Sequence, residues 1–138
     1  MDNSLNNKSR DDDSAKYFLQ IYEQLRIESE RGSAIVGAAF IDEALEEILK
    51  AILIVSAEKG DELFNGSRSP LGSFSAKIDV AYRIGLISPK VRESLHIIRN
   101  IRNDFAHLSL QINFETQSVR DRIRNLFNLN KEAFAALR

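Results

Sequence analysis

The sequence predicts an all-α fold: a single compact helical bundle of five to six helices behind a disordered N-terminal tail. Three observations predict it. Apolar residues recur at helical spacing in several segments, no stretch alternates apolar and polar residues long enough to build a sheet, and capping residues stand where the helical pattern starts and stops. Breakers are scarce, with 2 Pro and 6 Gly in 138 residues. An apolar content of 43% with 28% charged residues is that of a globular chain, and the length suits one domain with one core.

Residues 1–14, MDNSLNNKSRDDDS, are almost wholly polar and carry the acidic run Asp11, Asp12 and Asp13. They offer too little apolar surface to offset the cost of ordering, so a flexible tail is expected before a domain spanning 15–138. From Ala15 to Glu30 the residues Phe18, Ile21, Tyr22, Leu25 and Ile27 approximate a first helix. A second, Ser33 to Ser56, is clearer. Ala34, Gly37, Ala38, Ile41, Leu45, Ile48, Ile52 and Val55 share one side of it, with Glu43, Glu46 and Lys50 opposite. It is expected to cross the middle of the core. Its small-residue first half, Gly32 to Ala39, lets another backbone come close, either a later helix of the same chain or a second subunit.

The segment EKGDELFNGSRSPLGS reads as a loop with one helical turn inside it. Ser73 can then cap a third helix through Phe74, Ile78, Ala81 and Tyr82, which Gly85 ends. Ser88 as N-cap and Pro89 at the first helical position open a fourth, because proline lacks an N–H that would have no partner there. SLQINFETQS breaks the pattern, and VRDRIRNLFNL and KEAFAAL resume it as shorter helices.

Composition excludes several chemistries. With no cysteine there is no disulfide, thiolate zinc site or thiol nucleophile, which fits a cytoplasmic protein. The longest apolar-rich run contains Asp42, Glu43, Glu46, Glu47 and Lys50, so it is no membrane span, and nothing near Met1 resembles a signal peptide. A net charge of −1 does not gather nucleic acid over the whole surface. The 2 histidines and scattered carboxylates show no metal-ligand spacing, and no Gly-rich phosphate loop or nucleophile elbow occurs, so neither metal nor cofactor is expected. Helices three and four could mimic a helix-turn-helix, but the second spends its early positions on Val91, Leu95 and Ile98, so direct sequence-specific DNA binding is not expected.

One stretch, RNIRNDFAHL, could carry chemistry. At about 100° per residue, Leu95, Ile98 and Phe105 fall within about 40° of Val91, and Arg102 lies at about 20°, inside that apolar stripe. A guanidinium turned inward needs a carboxylate or a cleft. Asp42, Glu43 and Asp79 on the neighbouring helices are the candidate partners for a structural ion pair. His107 falls about 140° from Arg102 on the same wheel, so a straight helix does not join them. Its plainest role is a cation at the negative end of the helix dipole.

Three blocks in order, RGSAIVGAAFIDEALEEILKAIL, LFNGSRSPLGSFSAKIDVAYRIGLIS and IRNIRNDFAH, resemble the mannitol operon repressor (MtlR-like) family over Arg31 to His107. That resemblance implies an all-helical domain and a role in transcriptional repression, acting through a partner or as a corepressor. The chain is expected to be a non-enzymatic regulatory module that self-associates through its helices as a homodimer. Its protein partner would be a DNA-binding regulator. RNDFAH is also similar to the Arg-x4-6-His signature of HEPN-domain ribonucleases. By that resemblance Arg102 would hold phosphate, Asn103 would assist, and His107 would act as general base or acid in metal-independent RNA cleavage at a dimer cleft. The partner would then be an antitoxin. A histidine that titrates near neutral pH and a fixed guanidinium suit that chemistry.

Overall fold

The computed structural model describes the backbone of residues 4–136 and the side chains of residues 12–136. Among the described residues it is all helical. The elements in chain order are α1 (Ser4–Ile27), α2 (Glu30–Ile52), α3 (Phe74–Arg83), α4 (Pro89–Ala106), α5 (Gln117–Leu129) and α6 (Lys131–Ala135).

α1 begins at Ser4, well ahead of Ala15, where the apolar spacing starts. No Pro or Gly interrupts its length, so nothing in the backbone stops the helix from running into the polar segment. Residues 1–3 of the expected tail lie outside the described residues. The break between α1 and α2 falls earlier than Ser33, because Ser29 is the N-cap and its hydroxyl accepts from the Gly32 N–H at 3.0 Å. α2 stops at Ile52 rather than Ser56, and Leu53 turns extended. Ile54 and Val55 beyond it are 98% and 88% exposed.

The other caps are where the sequence puts them. The Ser73 hydroxyl accepts from Ala76 N–H at 3.1 Å, and that of Ser88 from Val91 N–H at 3.2 Å. Gly85 takes φ 77°, a left-handed value that side-chain-bearing residues rarely adopt. The Leu86 N–H then closes onto Ala81 O at 2.9 Å.

α4 is the central rod, packing on α2, α3 and α5, whereas α1 packs on α2 alone and α6 on α5 alone. The core has two parts. In one, Leu45 and Leu49 of α2 meet Phe64, Leu71, Phe74, Ile78 and Ala81. In the other, Ile97, Ile101 and Phe105 of α4 meet Val119 of α5. The buried side of α4 is therefore Ser94, Ile97, Ile101 and Phe105, turned about 75° from the stripe centred on Val91, at about 100° per residue. The wheel identifies an apolar half of α4 but not its centre, which is set by neighbours on three sides. Val91 is left 40% exposed, and Arg102 moves from the middle of the buried arc to its flank.

Candidate functional site

None of the three carboxylates proposed for Arg102 pairs with it, and two of them are engaged elsewhere. Asp42 accepts from Lys77 Nζ at 2.8 Å, Asp79 lies 3.4 Å from Arg92 and 3.3 Å from His96, and Glu43 is exposed. Arg102 is half-buried, and among the described residues it forms no ion pair, while its Nε is buried without a hydrogen-bond partner. The expected Arg102 ion pair is therefore not formed among the described residues, and a different cation makes the ion pair to α2. Asn103 is half-buried and His107 exposed. No hydrogen bond joins Arg102, Asn103 and His107 within the described chain.

The interior cation is Lys77, only 4% exposed. It sits in the first turn of α3 and bonds Asp42 and Glu46 of α2, both at 2.8 Å. Glu46 also accepts from Lys50 at 2.7 Å, and Lys50 lies 5.2 Å over the Phe64 ring. Burial opposes the charge on Lys77, but the bonds to Asp42 and Glu46 outweigh it and hold its pKa above the ordinary lysine value. Burial likewise pushes Glu46 up, and Lys50 and Lys77 together bring it below the usual carboxylate value. The sequence signal for Lys77 was the one used for Arg102, a cation amid apolar helix positions: Phe74 lies three residues before it, Ile78 next to it and Ala81 four after.

His107 is the C-cap of α4, at the helix end where the sequence places it, and Arg31 joins it there. Its guanidinium donates to the carbonyls of Phe105, His107 and Leu110, the last two at 3.3 and 3.1 Å. Glu30 beside it accepts from the Phe114 N–H at 2.7 Å. Phe114 meets Phe105 edge-to-face with centroids 5.3 Å apart, and Arg122 pairs with Asp104. The start of α2 thereby holds the α4–α5 connection. Arg31 and Glu30 lie in a stretch the sequence presents as the end of a helix, so no local pattern marks them.

One concavity is an apolar groove of ≈ 490 Å³. α2 supplies its floor through Ala34, Gly37 and Ala38, and α1, α4 and α5 supply walls that include Phe18, Ile98 and Ile123. Ser33 and Tyr17 are its only lining residues with side-chain polar atoms, and the Ser33 hydroxyl already donates to Leu25 O at 3.0 Å. The small-residue half of α2 thus has two neighbours and an open space. Leu25 of α1 approaches Gly37, Ala34 packs on the α4–α5 cluster, and the groove lies between. A surface of this kind attracts apolar groups and offers nothing to stabilise developing charge.

Among the described residues no cluster of three or more potential metal-ligating side chains occurs, and no helix is long and apolar enough to cross a membrane. Compared with protein-family models, with curated proteins and with solved structures, the chain matches none.

Proposed function

We propose that the protein is a non-enzymatic regulatory module, a transcriptional regulator or corepressor of the MtlR-like kind, acting in the cytoplasm through protein partners and self-association. Its groove between α1 and α4–α5 takes an amphipathic helix of a DNA-binding regulator. The observation that carries this reading is the groove itself, apolar and floored by Ala34, Gly37 and Ala38, residues small enough for a second helix to lie close. Helix-in-groove recognition uses large apolar anchors one turn apart on the incoming helix. The three sequence blocks that resemble the MtlR-like family cover the floor and one wall.

Ala44 lines the groove yet is exposed, so Ala44→Trp fills the groove without disturbing the core. In cells that carry the gene, Ala44→Trp is expected to reproduce the transcript changes of a deletion strain at unchanged protein level and melting temperature. Unaltered transcripts in both strains sink the reading.

A second reading has one observation in its favour. Arg102 and its neighbour Arg99 each hold a buried Nε without a partner, and the His107 ring is open to solvent. Arg102, Asn103 and His107 would then serve metal-independent RNA cleavage across two subunits. Cutting of single-stranded RNA in the presence of EDTA, abolished by His107→Ala, would favour the ribonuclease over the regulator.

A further inference from the structure

α1 has two faces. Phe18, Ile21 and Leu25 line the groove. On the other flank Asp12, Ala15, Leu19, Tyr22 and Arg26 fall within an arc of about 80°, at about 100° per residue. Their spacing alternates between three and four residues, the seam of a two-stranded coiled coil. All five are exposed, Leu19 by 60% and Tyr22 by 54%. Among the described residues no other helix covers them, since α1 packs on α2 alone.

We propose that this seam is closed by α1 of a second copy, lying antiparallel across a two-fold axis between Gln20 and Ile21. The partner is identified by charge. A parallel pair would stack Asp12 on Asp12 and Arg26 on Arg26, like against like. The antiparallel pair brings Asp12 of each copy to the Arg26 end of the other. It also sets Lys16 opposite Glu23, two exposed residues on the same flank of the seam. In the centre Leu19 packs on the second copy's Tyr22, and the axis repeats that contact, so one surface is complementary to itself. Arg26, which bonds Glu23 at 3.1 Å within the single chain, is already held beside the seam.

Two helices that touch over about four turns bury an area at the low end for specific interfaces, so the dimer is reversible and concentration-dependent. The inference refines the self-association in the proposed function and leaves the groove for its other occupant.

Sedimentation of the full chain tests it. Over about 1 to 100 μM the chain is expected to pass from monomer toward dimer. Leu19→Asp abolishes the dimer, while the melting temperature at about 1 μM, where the wild type is monomeric, holds because the residue lies outside the core. Lys16→Glu, which sets two carboxylates together at each end, weakens the dimer about tenfold, and Lys16→Glu/Glu23→Lys restores it to within about threefold. A chain that stays monomeric throughout overturns the proposal and leaves the seam to a different protein. A dimer indifferent to Leu19→Asp places the interface elsewhere. A double exchange that fails to restore rules out the antiparallel register. None of these results touches the groove, whose occupancy is read from Ala44→Trp.

Discussion

Lys77 Nζ reaches Asp42 at 2.8 Å across the α2–α3 interface with its side chain only 5% exposed, while Asp42 keeps 27%. The cation is buried, and its counter-charges face water. Such an arrangement keeps most of the attraction while desolvating one group fully rather than three. Lys77→Ala would leave Asp42 and Glu46 repelling each other above a cavity. A loss of about 2–3 kcal/mol is expected, toward the lower end for a broken buried pair because both carboxylates retain solvent. Urea unfolding measures it, and a loss under about 0.5 kcal/mol would mean that the network is idle.

The same network fixes how stability depends on pH. Lys77 has a raised folded pKa, so its contribution is complete below the unfolded lysine value and is lost as pH rises through the folded one. Glu46 has a lowered folded pKa. Its contribution is complete above the unfolded glutamate value and is lost as pH falls through the folded one. The wild type should therefore lose stability at both acid and alkaline extremes, and Lys77→Met should flatten both limbs. Melting temperatures recorded across the pH range decide the point; a variant with unchanged limbs would refute it.

Arg31 donates to the carbonyls of Phe105, His107 and Leu110. Removing the guanidinium by Arg31→Ala should cost about 1–2 kcal/mol, the range for bonds from a charged donor at a partly exposed helix end. The loosening should be local. Amides between Asp104 and Phe114 are expected to exchange faster, with those of α3 unchanged, and uniform acceleration would contradict the capping role.

Arg102 has no acidic mate among the described residues. Arg102→Ala is accordingly expected to cost no more than about 1 kcal/mol, the loss of half-buried packing without that of an ion pair. A loss above about 2 kcal/mol in thermal unfolding would show that Arg102 does hold a structural ion pair.

Gly37 lies inside α2, and a Cβ there would meet Leu25 at 3.6 Å, an ordinary van der Waals distance. Gly37→Ala should raise stability by about 0.5–1 kcal/mol by removing the entropy that glycine costs a helix. A destabilised variant would show that α1 approaches α2 more closely here.

The helices were legible wherever a local rule governs them. Ser73, Ser88, Pro89 and Gly85 mark their own boundaries because a cap is a matter of a few consecutive residues. The centre of the buried arc on α4 was not, since Val91, Leu95 and Ile98 compete with Ile97 and Ile101, and only the arrival of Val119 from α5 decides between them. The interior cation was ambiguous in the same way: Arg102 and Lys77 each stand among apolar helix positions, and only the α2 carboxylates that face α3 single out Lys77. Arg31 had no signal, because its partners are backbone carbonyls more than seventy positions away.

That separation has a kinetic meaning. The clasp closes only when the beginning of α2 and the end of α4 have come together, so we expect it to form after the rate-limiting step. Interactions made after the rate-limiting step act on the speed at which a molecule comes apart. The Arg31 clasp should therefore govern how long a folded molecule lasts, and have little influence on how quickly one is made.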